Sequence, residues 1–118
     1  MIFSKTIGKK STASRLRHRL TLQQEIQTPD GAGGYTRSWQ NVADLWAEIN
    51  PISGKEIVFA GQLSAQISHK IIIRYRAGIT AGMRLVYDAR AFNIRAILNV
   101  KENDEILEIW ADEGAIPV

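Results

Sequence analysis

The residues able to do chemistry in this chain are few, and their spacing limits what they can do. There is no cysteine, and histidine occurs only as His18 and His69. That excludes thiol nucleophiles, disulfides, iron-sulfur clusters, Cys-based zinc and His-rich catalytic zinc together. The stretch Gly31-Ala-Gly-Gly34 lacks the Gly-Lys-Ser/Thr ending of a phosphate loop and the strand-helix context of a dinucleotide fold. Asp104 and Glu105 are sequence neighbours, and neighbours on a strand point to opposite faces, so they cannot flank one glycosidic bond; a turn suits them better. No Ser, Cys or His constellation is set out for a hydrolase. His69 shares a strand face with Ile71 and Ile73, the setting of a hydrogen-bonded core or interface histidine. His18, between Arg17 and Arg19, belongs to a basic patch. No cofactor, metal or catalytic residue is expected.

Cations and aromatics offer binding instead. Arg74, Arg76, Arg84, Arg90 and Arg95 with Tyr75, Tyr87 and Phe92 have the mix of a small-barrel binder of single-stranded nucleic acid, which stands as the alternative function. Trp46 and Trp110 lie in apolar strands where burial is expected, leaving Trp39 as the exposed platform. Charge is segregated along the chain: Lys5, Lys9, Lys10, Arg15, Arg17 and Arg19 precede the first acid, Glu25, whereas Glu102, Asp104, Glu105, Glu108, Asp112 and Glu113 crowd the end. A basic start and an acidic finish suit nucleic acid or an acidic surface at one end, and head-to-tail contact between identical subunits. Two solvated termini are the plain alternative.

These residues must be positioned by a small scaffold. The 118 residues carry a net charge of +3, with 45% hydrophobic and 23% charged side chains, the balance of an ordinary globular domain. A mixed polar segment, residues 1–14, reads as a flexible basic arm before one domain spanning 15–118. No run approaches the length of a membrane span, and the start lacks the apolar core of a signal peptide, so synthesis and retention in the cytoplasm are expected. Period-2 alternation predicts strands at Arg19–Gln27, Tyr35–Gln40 and Gln66–Arg76. A Pro- and Gly-rich reversal separates the first two. Val42–Ile52 is ambiguous by period, but Pro51 forbids a helix through its end, which favours a strand over Asp44–Asn50. Ser53 and Glu56 have capping-box spacing and predict a helix of about two turns through Gly61. Met83–Tyr87, Ala91–Val100 and Glu105–Asp112 supply further short strands. The expected fold is all-β and mainly antiparallel, a small barrel or sandwich of six to seven strands with one short helix in a long loop.

The order of these pieces carries a resemblance. Arg15-Leu-Arg-His-Arg-Leu-Thr-Leu-Gln23, the Gly-rich turn, Leu45-Trp-Ala-Glu-Ile49 with Pro51, and Ser53-Gly-Lys-Glu56 are similar to tailed-phage head-tail adaptor, joining or stopper proteins. So are Ser68-His69 leading into Ile71-Ile-Ile-Arg-Tyr-Arg76, then Gly78-Ile79, Gly82-Met83-Arg84, Tyr87 and Phe92-Asn-Ile94. The likeness runs from Arg15 to Glu113. Ser68 stands where threonine is expected before the histidine, and the arm before Arg15 is longer than usual.

The resemblance implies a non-enzymatic virion protein that assembles as a ring under the portal, retains packaged double-stranded DNA and provides the tail attachment site. Its implied partners are a portal or adaptor ring above and a tail terminator or tail completion protein below, with no membrane. Its implied locations are the head-tail interface of the virion and, during assembly, the host cytoplasm. The isolated chain is expected to be a monomer that forms a ring of copies on its template. Arg15, Arg17, Arg19 and Lys55 are the expected contacts to partner or DNA. The segment between Pro51 and Ile67 is the expected channel loop, with Ser53, Gly54, Lys55, Glu56, Phe59, Gly61 and Gln62 as its candidate residues.

Overall fold

The computed structural model describes residues 15–115, so the expected arm lies outside the described residues. Among the described residues six strands form: β1 (His18–Pro29), β2 (Tyr35–Pro51), β3 (His69–Arg74), β4 (Arg84–Tyr87), β5 (Arg90–Asn99) and β6 (Ile106–Ala115). One helix, α1 (Gly54–Leu63), joins β2 to β3, and a single 3-10 turn, Val100–Glu102, leads toward β6. All pairings are antiparallel, in the order β1-β2-β3-β6-β5-β4. Three pairs between β1 and β4, Thr21 with Val86, Leu22 with Leu85 and Gln23 with Arg84, close the sheet on itself. Closure decides for a barrel over an open sandwich and removes the edges of its strands inside the ring.

Alternation does most of the work. Leu20 and Leu22 from β1, Ala47 from β2, Ile71 and Ile73 from β3, Leu85 from β4, Phe92 and Ile94 from β5, and Leu107, Ile109 and Ala111 from β6 meet in one buried core. In each strand these are alternate residues, as a sheet with one buried face requires.

Two bulges interrupt the period, and each has a consequence. Opposite Leu22 and Gln23 the partner skips from Ala43 to Asn41, leaving Val42 as the extra residue. An extra residue flips which face every later side chain takes. Ala43, Leu45, Ala47 and Ile49 therefore alternate inward, whereas Trp39 and Arg37 continue the outward row of Gln23. This is why Val42–Ile52 is ambiguous by period. Tyr35–Gln40 and Asp44–Asn50, expected as two strands, are one strand of 17 residues bent at the bulge. The second bulge leaves Arg95 unpaired between Ile94 and Ala96 and turns Ala96 and Leu98 outward beside Trp110.

Beyond the barrel, Gln24–Pro29 pairs only with Tyr35–Gln40. These six pairs form a two-stranded ribbon of about 20 Å. At its tip the Asp30 carboxylate accepts the Ala32 and Gly34 N–H groups at 2.8 and 3.1 Å. Those two donors hold the Asp30 carboxyl below its ordinary range. Gly31 and Gly33 take the positive φ angles the reversal needs.

Other boundaries move modestly. The ladder of β3 stops at Arg74 rather than Arg76, although the Tyr75 N–H still donates to the Glu105 carbonyl at 2.9 Å. The helix runs ten residues instead of about two turns, passing through Gly61 to end where the Ser64 N–H bonds the Ala60 carbonyl.

Candidate interaction surface

The second bulge builds the seat of α1. On the outside of the barrel Ala96, Leu98 and Trp110 form an apolar strip, and Ala60, Ile67 and Ile52 pack on it. Phe59 meets Trp110 edge to face, with centroids 5.1 Å apart. At the N-terminus the expected capping box forms, and the Ser53 N–H donates to Glu56 Oε1 at 2.8 Å. The other Glu56 oxygen accepts a hydrogen bond from the Lys70 ammonium on β3. Lys70 and then the Ser53 N–H hold the Glu56 carboxyl below its usual value of 4.5. Lys70 also lies over the Trp110 ring at 5.7 Å. The helix is thus fixed at one end by charge and along its flank by aromatic packing.

Much of what α1 presents outward is apolar. Ile57 is 57% exposed and Val58 71%, with Phe59 and Leu63 also on the surface. The sequence held the signal: Ile57-Val-Phe-Ala60 is four consecutive apolar residues, and at about 100° each they span about 300° of a helix. One flank cannot bury them all. Gly54, Lys55, Gly61 and Gln62 are exposed on the same element, and Ser53 caps it. Lys55 makes no hydrogen bond or ion pair among the described residues.

The three candidate arginines differ in their surroundings. Arg15 binds Glu48 at 2.9 Å, and Arg19 lies over the Trp46 ring at 5.1 Å. Arg17 is exposed. An open groove of about 690 Å³ brings Arg15 and Glu56 onto common walls, with Glu48, Lys70, Lys101 and Glu108 between them. It therefore joins the start of the described chain to the start of α1, which no sequence spacing indicated.

The acidic finish is partly consumed internally. Arg90 grips Glu113 with two donors at 2.8 and 3.1 Å, and Arg95 binds Asp112. The Arg90 pair holds Glu113 below its ordinary value. Burial pushes Asp112 up, but the Arg95 and Asn93 bonds outweigh it and the net shift is downward. Glu102, Asp104 and Glu105 stay exposed in the β5–β6 turn.

The nucleic-acid platform is not assembled. Phe92 is fully buried in the core, Tyr87 is edge-on to His18 at 5.1 Å, and Arg90 and Arg95 are paired with carboxylates. The tryptophans follow expectation only at Trp110. Trp110 is buried, but Trp46 is 52% exposed, because Ala47 takes the inward position beside it. Trp39 is half-buried under Arg84, whose guanidinium sits 4.1 Å from its ring centre.

His69 sits at the barrel's end against Phe92, at 5.2 Å. Its Nδ1 pairs with the Ser68 hydroxyl at 2.8 Å, and Nε2 lies 3.7 Å from Glu113. Three groups of a hydrolytic relay are near one another, a neighbourhood the sequence did not reveal because Glu113 is distant in the chain. Their bonds are structural. The Ser68 hydroxyl accepts the Glu113 N–H at 3.0 Å, and Glu113 is held by Arg90. Burial lowers the His69 pKa, with Glu113 opposing and Arg90 assisting. The cluster ties the start of β3 to the end of β6, the role of a hydrogen-bonded core histidine.

Comparisons place this architecture. A solution structure of protein SF1141 from Shigella flexneri 2a is 33% identical, with a TM-score of 0.72 over 91% of this chain and 100% of that one. A chain from the virion of a native gene transfer agent particle shares the fold at 22% identity, with a TM-score of 0.60 over 86% of this chain and 98% of that one. No curated protein matches. A family model described as phage head completion protein matches residues 12–114, from before β1 to the penultimate residue of β6, and the chain therefore belongs to the phage head completion protein family.

Proposed function

We propose that this structural protein of the phage head acts as a head-tail connector, an adaptor or stopper that forms a ring under the portal, retains packaged double-stranded DNA and offers the tail its attachment site. The observation that carries this reading is the family match over nearly the whole described chain. The form of the β2–β3 connection supports it. A segment meant for partners needs a firm base and an uncovered tip, and α1 has both: Phe59 and Ala60 toward Trp110, Ile57 and Val58 toward solvent. Exposed apolar side chains on an anchored helix are the usual core of a protein interface.

In this proposal the segment from Ser53 to Gln62 faces the axial channel or the adjoining ring. Lys55, exposed in the first turn of α1, meets DNA phosphate without reading sequence. Arg15, Arg17 and Arg19 face a partner ring. The role is non-enzymatic.

Adding the purified protein to DNA-filled, tailless capsids that lack this component tests the proposal, with DNA retention, tail attachment and infectivity scored. Restored tails establish the connector, and DNA that leaks only in its absence establishes the stopper. No association and no rescue refute both.

A further inference from the structure

Where the ribbon joins the barrel, β2 loses its second neighbour. From Tyr35 to Trp46 it pairs with β1 alone, since its ladder with β3 begins at Ala47 and Ile73. The chain after β3 departs through Tyr75 and Arg76 instead of continuing along β2. A groove of about 240 Å³ remains, lined by Asp44, Trp46, Arg74, Tyr75 and Arg76 among others. It lies beside the stretch of β2 that has no second neighbour.

The side chains around this edge share one character. Trp46 and Tyr75 are among the exposed large apolar residues. Arg19 lies over the Trp46 ring, and Arg19, Arg74 and Arg76 make no ion pair or hydrogen bond among the described residues. Most other arginines are spoken for: Arg15, Arg37, Arg90 and Arg95 each meet a carboxylate, and Arg84 binds Gln23. The acid nearest the edge, Asp44, already accepts the Thr21 hydroxyl at 2.9 Å. Asp104 and Glu105 line a separate groove on the other side of Arg74 and Tyr75, so anionic groups are steered to the β2 side.

We propose that this edge takes an extended acidic segment of another protein as an added strand, paired to β2 around Val42–Trp46, with its carboxylates on Arg74 and Arg76 and an apolar side chain on Trp46. Unpaired strand backbone recruits a strand, and alternate side chains then give specificity. Uncompensated guanidinium groups beside exposed aromatic rings select an anionic partner with apolar residues between its charges. A nucleic acid strand would use the arginines and rings but would leave the backbone edge unpaired. The ring proposal above is not required, since the site needs only the fold.

The test is a titration of the isotope-labelled full chain, followed by amide and indole NMR signals. Probes are a short capped peptide alternating glutamate with valine and threonine, the same peptide with lysine for glutamate, the same peptide with a central proline, and a short oligothymidylate. The acidic peptide is expected to shift Val42–Trp46 and Arg74–Arg76 saturably, move the Trp46 indole and slow amide exchange along β2. Affinity is expected to fall at least about tenfold in R74E/R76E and in W46A, while far-UV circular dichroism stays unchanged because all three side chains are exposed. Absence of saturable shifts overturns the proposal. So does equal binding of the lysine or proline peptide, and tighter oligothymidylate binding at the same residues would reassign the surface to nucleic acid.

Discussion

Leu20 and Ile26 occupy alternate positions of β1, on the face that is inward in the barrel, yet their surroundings differ. Leu20 lies between β2 and β4 in a closed sheet and is fully buried. Ile26 faces Ser38 in a ribbon with one ladder, and remains half-buried. The barrel half of the hairpin is stabilised by a shared core. The ribbon half depends on cross-strand pairs: Glu25 with Arg37, Gln23 with Asn41 at 2.8 Å, and Trp39 beneath Arg84. The same alternation thus yields two elements of different stability, because closure of the sheet, not the strand pattern, decides how much surface leaves water. Elements of few buried contacts open locally at lower cost than the core, and binding segments are commonly drawn from them.

This contrast is open to test. Phe92→Ala removes the largest fully buried core side chain and should cost about 3–5 kcal/mol, seen as one cooperative loss of the barrel in denaturant unfolding; a change under about 1 kcal/mol would show that the core is not the source of stability. Trp110→Ala should cost about 3 kcal/mol but leave a folded barrel with fast amide exchange in Gly54–Leu63. If α1 kept its protection, Trp110 would not be its seat.

Acid should act next, and on α1 first. The folded pKa of Glu56 lies below its usual 4.5, so its contribution is fully present above that value and fades as pH falls through the lower, folded one. Both side chains of the pair with Lys70 remain partly exposed, so the effect is about 1 kcal/mol or less. Amides of α1 should lose protection in that window before those of β3, and the effect should vanish in Glu56→Gln. Arg84→Ala is expected to have the smallest global effect, with melting of the barrel nearly unchanged. Exchange in Gln24–Gln40 should nevertheless quicken several-fold, because Gln23 and Trp39 lose their common partner. Equal quickening throughout the barrel would mean that ribbon and barrel unfold together.

Several features were legible without coordinates. Period-2 alternation located the strands, Ser53 and Glu56 located the start of α1, and the ordered run from Arg15 to Glu113 carried the family. Other features were hidden for identifiable reasons. Val42 and Arg95 are bulges, and an extra residue is visible only against the partner strand it fails to match. Trp46 looked buried because it sits among apolar residues, yet Ala47 is the inward residue once the bulge sets the phase. The grip of Arg90 and Arg95 on the acidic finish joins residues that only the β5–β6 register brings together.

What the sequence by itself determined is local: alternation, capping, turn glycines and the absence of thiol chemistry all act over a few bonds, where backbone sterics and side-chain polarity suffice. Only the tertiary structure decided which strands close the barrel, where two bulges reverse the faces, and which arginines keep their charge free. Those depend on pairing between distant residues, and distance along a chain does not encode contact across a sheet.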